Sequence, residues 1–355
     1  EKPVFLTWLP LSHSYEHTVQ FVQIAVGAKI YYAEKIEKLL DNISESRPTI
    51  MTAVPRFYQN LSNKIKINFD KQTGLKSKLI KKTISLGIKK ISKINMSFSE
   101  KLINYILDIL VRKKVKKQFG GRLKAFVSGG GPLDKDIGEF LNAIGLPTLQ
   151  GYGLTEASPV VSCNSIDNIK VDTVGLPFKG NKIKIADDGE ILVKGENVML
   201  GYWKNPEATN KTIIDGWLHT GDIGEIDPEN GYLKITDRKK DIIVTSGGDN
   251  ISPAKIENMI TLFEEIEQCM VYGDNKKYLV ALIVPNKDFV NQIKKIDEKI
   301  TQINKKLTQI EKIKKYFIVN ENFTIENDLL TPTMKVKRNK VIKKYKDNFE
   351  KLYTT

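Results

Sequence analysis

The chain has 355 residues, 41% of them hydrophobic, which is enough for two or more compact domains with real cores. Its two cysteines, Cys163 and Cys269, lie far apart with no CxxC spacing, which argues against a disulfide scaffold or a zinc site and for a reducing, cytoplasmic setting. No apolar run approaches the roughly 18–20 residues needed to span a bilayer, so any membrane association would be peripheral, on the inner face.

The formal charge of +14 is concentrated in one place. Between Lys64 and Lys117 stand fifteen lysines and Arg112, against only Asp70, Glu100 and Asp108. Apolar residues recur there at helical spacing, at Leu79, Ile84, Ile88 and Ile91 and again at Leu102, Ile106, Ile109 and Leu110, which predicts basic amphipathic helices. A solvated face, an anionic lipid surface and the phosphates of a ligand all fit such helices. Nucleic acid is not expected, because neither stacking aromatics nor a base-reading motif accompanies the lysines.

Along the chain, Val4 to Leu11 reads as a buried strand running into a loop with His13 and His17. A helix follows, then a strand from Ala28 to Tyr32, a helix from Ile36 to Ser44 and a buried strand from Pro48 to Val54, closed by Pro55. After the basic segment, Leu123 to Ser128 is a strand stopped by Gly129-Gly130-Gly131-Pro132; a helix from Asp134 to Ile144 and a strand from Pro147 come next. The alternation predicts an α/β domain with a largely parallel sheet. From Val174 the rhythm changes to short strands with an antiparallel character, at Lys182 to Ala186, Glu190 to Val193 and Tyr232 to Ile235. The charged run Asp237 to Asp241 marks a boundary. Beyond it a smaller α/β unit is expected, with a helix at Pro253 to Leu262, strands at Gln268 to Tyr272 and Leu279 to Val284, and a lysine-rich helix from Phe289 to Lys315. That helix spaces its apolar residues by fours and threes, but the run is short, so it is expected to pack on its own domain.

Three segments carry the chemistry: Tyr152-Gly153-Leu154-Thr155-Glu156, Gly216-Trp217-Leu218-His219-Thr220-Gly221-Asp222 and Asp237-Arg238-Lys239-Lys240-Asp241. Each reads as a turn with Gly, Thr or charge between apolar runs, an arrangement suited to gripping a small polar ligand over a sheet edge. With them stand Gly201-Tyr202-Trp203 and Leu330-Thr331-Pro332-Thr333-Met334-Lys335-Val336-Lys337-Arg338. In this order the motifs resemble the adenylate-forming superfamily, and within it the long-chain fatty acyl-CoA synthetases, from the first residues nearly to the last.

The resemblance implies the C-terminal part of a large AMP-binding domain over residues 1–238, with parallel sheet, helices and a small antiparallel β subdomain, followed by a small mobile α/β domain over 239–355. It implies ATP-dependent activation of a fatty acid through an acyl-adenylate and transfer to CoA, with Mg²⁺ as cofactor. Transfer to a carrier protein, and a non-catalytic nucleotide- or membrane-binding remnant, are the alternatives; acyl chain length and oligomeric state are not legible. Thr155 and Glu156 would sit beside the α-phosphate, and Glu156 offers the oxygen ligand that a hard cation takes. Tyr152, with Gly153, would lie against adenine, and Gly129, Gly130 and Gly131 would let backbone approach the ligand. Asp222 would accept both ribose hydroxyls, with Arg238 reaching the same sugar. His219 is expected to support its turn. Lys240 would be the hinge, and Gly247 and Gly248 would line a tunnel for the CoA arm, a plain hairpin turn being the other reading. Lys337 would clamp the reacting carboxylate and phosphate, with Lys335 as its competitor because Val336 stands where the common pattern has Gly. His13 and Tyr15 would border the acyl site. The family's Ser/Thr/Gly-rich phosphate loop ending in Pro-Lys-Gly is not found, which suggests the C-terminal part of a longer protein and feeble adenylation by these residues alone.

Overall fold

Residues 2–331 and 334–354 are described by the structure, a computed structural model, and they form two compact units, Glu1–Ile235 and Thr236–Thr355. In the first, the chain runs β1 (Val4–Thr7), α1 (Ser14–Ala25), β2 (Lys29–Tyr32), α2 (Leu39–Ser46), β3 (Ile50–Ala53), α3 (Pro55–Asp70), α4 (Gly74–Ile91), α5 (Phe98–Leu107), α6 (Lys113–Gln118), β4 (Ala125–Ser128), α7 (Lys135–Ala143) and β5 (Thr148–Gly153). Strands β2, β1, β3, β4 and β5 lie side by side and parallel; β6 (Val160–Cys163) and β7 (Leu176–Pro177) extend the sheet antiparallel. All four residues of β1 are buried, as expected of a strand covered on both faces, and this is why its sequence, VFLT, shows no apolar alternation. Phe126 of β4 anchors the core, with the rings of Tyr58 and Phe119 set edge-on at 5.6 and 5.9 Å.

The basic segment is helical, as its spacing predicts, although α5 leads into a five-residue π turn, Asp108–Arg112. Arg112 is buried and pins the segment, donating to the Ala143 carbonyl at 2.7 Å, the Thr83 carbonyl at 3.1 Å and Asn104 Oδ1 at 2.8 Å. Helix α4 crosses α7 closely at Gly87, where a Cβ would stand 2.6 Å from Ala143.

The antiparallel part comprises β8 (Lys182–Ile185), β9 (Glu190–Lys194), α8 (Pro206–Thr212), β10 (Ile213–Ile214), β11 (Trp217–Ile226) and β12 (Leu233–Arg238), the sheet running β10-β11-β9-β8 with β12 on β11. Here the sequence reading needs correction: Trp217 to Asp222 is no loop but the first half of β11, broken by a bulge between His219 and Ile223. Gly221, at φ +72°, supplies the backbone freedom the irregularity uses.

The second unit contains β13 (Ile243–Val244), β14 (Asn250–Ile251), α9 (Pro253–Ile260), β15 (Ile266–Tyr272), β16 (Leu279–Pro285), α10 (Ile293–Asn304), β17 (Ile313–Ile318), α11 (Arg338–Lys344) and α12 (Lys346–Thr354). Strand β16 is central, antiparallel to β15 and parallel to β17, and buried throughout. Its alternate residues serve two cores. Leu279, Ala281 and Ile283 pack with Ile256, Ile260, Ile296 and Ile300, whereas Val280, Leu282 and Val284 pack with Phe323, Val341 and Phe349. The expected helix from Phe289 to Lys315 is shorter: Asn304 bonds both backbone groups of Ile313, at 2.9 Å each, and turns the chain into β17. Ile296, Ile300, Ile303 and Leu307 are still buried in their own unit. Among the described residues no helix is long and apolar enough to cross a membrane.

Candidate functional site

The C-terminal ends of the parallel strands collect most of the residues singled out in the first unit, the edge at which ligands bind in open α/β sheets. Tyr152 ends β5 and is buried; its hydroxyl donates to Asp222 Oδ2 at 2.7 Å, joining the Tyr152 and Asp222 motifs across seventy residues. Gly153 is obligatory, because a Cβ there would lie 1.9 Å from the Pro159 carbonyl oxygen. The close approach shapes the turn in which the Leu154 amide donates to that oxygen at 2.9 Å.

Thr155 opens a single 3₁₀ turn, and its Oγ1 lies 3.1 Å from Ser14 Oγ at the start of α1. Glu156, half-buried, accepts the Tyr202 hydroxyl at 2.9 Å on Oε1, and its carbonyl accepts the Met199 amide at 2.8 Å. Burial and the neighbouring carboxylate hold the Tyr202 phenol above its ordinary pKa, so it stays a donor. Tyr202 is thus a site residue that the sequence signals only through the neighbouring Gly-Tyr-Trp run.

His13 caps α1, its Nδ1 accepting the Tyr15 amide at 3.2 Å. Tyr15 lies against the glycine turn: its hydroxyl donates to the Val127 carbonyl at 3.1 Å, and a Cβ on Gly129 would meet its ring at 2.9 Å. Burial pushes the Tyr15 phenol well up. Gly130 adopts φ +81°, which a β-carbon would strain, while Gly131 has ordinary space before Pro55. Cys163, opposite Gly151 in the β5–β6 ladder, has its thiol pushed up to about 11 by burial, which keeps it protonated and inert.

The bulge that presents Asp222 is braced by Glu190. Its Oε1 accepts the Gly221 amide at 2.8 Å, and its Oε2 stands 3.2 Å from His219 Nδ1. Thr220 Oγ1 donates to the Ile191 carbonyl at 2.7 Å and accepts the Asp222 amide at 3.1 Å. His219 therefore supports the turn. Glu190 is not visible as a site residue in sequence, because it reads only as the start of a short strand and its partners His219 and Gly221 lie about thirty residues further on.

The remaining candidates belong to the second unit. Arg238, at the end of β12, donates its amide to Asp237 Oδ1 at 2.6 Å, and the backbone then turns tightly, the Asp241 amide donating to the Arg238 carbonyl at 2.9 Å. Lys240 stands exposed on that turn. Gly247 and Gly248 form the tip of the β13–β14 hairpin; Gly248 is at φ +87° and Thr245 Oγ1 accepts the Gly247 and Asp249 amides at 3.3 and 3.2 Å.

Pro332 and Thr333 lie outside the described residues, but their flanks pair: Leu330 bridges Val336, and the Thr331 amide donates to the Lys335 carbonyl at 2.8 Å. Lys335 and Lys337 thus flank an inward-packing Val336. Lys337 forms an ion pair with Asp328, which also holds Lys340 at 2.9 Å. The next residue, Arg338, is largely buried in an ion pair with Glu257 and donates to the Val271 carbonyl at 3.3 Å, tying the lysine-bearing segment to α9 and β15.

The comparisons match the two parts of the chain separately. The AMP-binding enzyme model matches residues 1–203, and the AMP-binding enzyme C-terminal domain model matches residues 240–355. The chain belongs to the AMP-binding enzyme family. It is 33% identical to the long-chain-fatty-acid–CoA ligase FadD15 of Mycobacterium bovis, over 98% of this chain and 62% of that protein. It is also 33% identical to long-chain-fatty-acid–CoA ligase 5 of Rattus norvegicus, over 99% and 56%. The chain therefore spans about three fifths of the length of these relatives. Its fold is that of the adenylation domain of a carboxylate reductase from Mycobacterium chelonae, with a TM-score of 0.77 at 23% identity over 100% of this chain and 54% of that one. O-succinylbenzoate Coenzyme A Synthetase from Bacillus subtilis, in complex with AMP, gives 0.66 at 23% identity over 95% and 60%.

Proposed function

We propose that the protein activates a long-chain fatty acid with ATP and passes the acyl group to CoA. The Tyr152–Asp222 hydrogen bond carries this reading, since it ties an aromatic face to a carboxylate at the edge of the sheet, the pairing that a base and its ribose require. In the first step a carboxylate oxygen of the acid attacks the α-phosphorus of ATP and the bond to pyrophosphate breaks. In the second, the CoA sulfur attacks the acyl carbon and AMP leaves.

Tyr152 and Gly153 take the adenine, Asp222 and Arg238 the ribose, and Gly129, Gly130 and Gly131 admit the ligand next to backbone. Thr155, set by Ser14, donates to the α-phosphate as charge builds there. His13 and Tyr15 border the acyl chain. Residues 1–238 act as the large domain and 239–355 as a mobile one that turns about Lys240, bringing Lys337 to the first step and the Gly247-Gly248 hairpin to the second. Lys337 is preferred to Lys335 because the Arg338–Glu257 pair fixes the residue beside it.

Magnesium fits Glu156, a half-buried carboxylate beside Thr155: its oxygens suit a hard cation, and an ion that keeps water and phosphate oxygens needs only one or two carboxylates. When bound it offsets charge on the phosphates. A fatty substrate partitions into bilayers, so a lipid surface is its natural source.

The test is thioester formation, read by mass spectrometry with acids of graded length and with CoA or a carrier protein as acceptor. Acyl-CoA formation that Asp222→Ala abolishes together with AMP binding, and that Lys337→Ala abolishes with AMP binding intact, is the expected result. A protein that binds neither AMP nor acyl-AMP overturns the proposal.

A further inference from the structure

Helix α5 faces solvent with the wrong side for a soluble protein. Of its ten residues only Leu107 is buried, while Phe98 is 85% exposed, Tyr105 66% and Leu102 55%, with Ile106 also exposed. At 100° per residue Phe98, Leu102 and Tyr105 fall within about 60° of one another and opposite Leu107, so they form one outward stripe. Ile109 and Leu110 of the π turn and Ile94 before the helix are exposed too. Isolated surface hydrophobics are ordinary; a continuous set of this size is not.

The charge beside the stripe selects the partner. The two acids of this stretch are engaged: Glu100 caps the helix through Ser97 and binds Lys89 at 2.8 Å, and Asp108 lies 3.9 Å from Arg112. Lys101, Lys113 and Lys114 are exposed and form no ion pair among the described residues. An apolar ridge with uncompensated lysines at its border suits an anionic bilayer, which takes the ridge at its acyl boundary and the ammonium groups at its phosphates. A second copy docked through the same stripe would bring like-charged rims together. We propose that the α5 stripe, with Lys101, Lys113 and Lys114, seats the protein on an anionic lipid surface. The contact gives the acyl-activating reading a place of substrate supply, and in that respect it rests on that reading.

The test is co-sedimentation of the whole chain with phosphatidylcholine vesicles, with and without phosphatidylglycerol, in low and high salt and without ATP or fatty acid. Binding should require phosphatidylglycerol and weaken with salt. Phe98→Ser should weaken it about tenfold or more, since burying an aromatic side chain is worth at least that factor. Neutralisation by Lys113→Gln or Lys114→Gln should each cost about fivefold. Phe98 and Lys113 are exposed, and an unchanged melting temperature and circular dichroism spectrum will show the variants folded. Indifference to phosphatidylglycerol, binding unaffected by Phe98→Ser in the folded variant, or a solution dimer that Phe98→Ser dissociates overturns the proposal. Vesicle binding by a protein that binds neither AMP nor acyl-AMP would leave the lipid surface standing and remove the catalytic reading; AMP binding by a protein indifferent to lipid does the reverse.

Discussion

Tyr152→Phe isolates one hydroxyl. The ring stays, and with it the packing against Ala157, Val161 and Ile191. What goes is the 2.7 Å bond to Asp222 between two residues that are 8% and 5% exposed. A hydrogen bond to an ionised acceptor contributes about 1.5–3 kcal/mol, and burial places this one toward the upper part of that range. The first unit should therefore melt roughly 3–12 °C lower, at about 2–4 °C per kcal/mol for a unit of this size. If Asp222 holds the ribose, its loosened carboxylate should also weaken AMP binding about tenfold, which is about 1.4 kcal/mol. Calorimetric titration with AMP and urea unfolding of Tyr152→Phe, Asp222→Ala and the double variant read both effects. The cycle should show a coupling of at least about 1 kcal/mol in stability; additivity to within about 0.3–0.5 kcal/mol would refute the claim that the two motifs act as a pair.

Gly153→Ala drives a Cβ into the Pro159 carbonyl and should cost about 3 kcal/mol by overpacking, with AMP binding lost alongside; an unchanged melting temperature would contradict the geometry. Arg338→Met leaves Glu257 buried without its cation and should cost the second unit about 3–5 kcal/mol in urea unfolding, much of it restored by adding Glu257→Met. Glu16 gives a pH signature. It is buried under the sheet with Oε2 accepting from Thr52 at 2.7 Å and Oε1 without a partner, and burial raises its pKa despite the hydrogen bond from Thr52. The folded state thus favours the neutral acid. Its contribution is complete below the ordinary glutamate pKa and is lost as pH rises through the raised value. Glu16→Gln should flatten that decline in unfolding free energy, and a slope identical to the parent's would show that another group causes it.

Much of this was legible because local pattern and tertiary role agreed. The parallel strands VFLT, IMTA and AFVS are apolar, short and followed by helices, and nothing but a covered sheet suits them. The lysine-rich helix went wrong at its end because fours-and-threes spacing cannot register Asn304, whose side chain replaces the helical partners of Ile313 and starts a strand. Likewise, Trp217 to Asp222 is strand by pairing yet reads as a turn by composition, since the Thr and Gly that suggest a loop serve the bulge.

Glu190 and Tyr202 are further cases in which long-range contact decides the role. Both act through partners roughly thirty and forty-five residues away, His219 and Glu156, so no local pattern shows what they support, even though Tyr202 lies in the Gly201-Tyr202-Trp203 run. The motif residues could be found in sequence because each lies in a short run whose order is informative; their supports could not, because support is a property of the fold. Asp222 shows the division. Its identity is visible in a seven-residue run, but its presentation depends on a buried Glu190, a left-handed Gly221 and the hydroxyl of Tyr152. Glu190→Ala should for this reason lower both the melting temperature and the affinity for AMP, read by calorimetry.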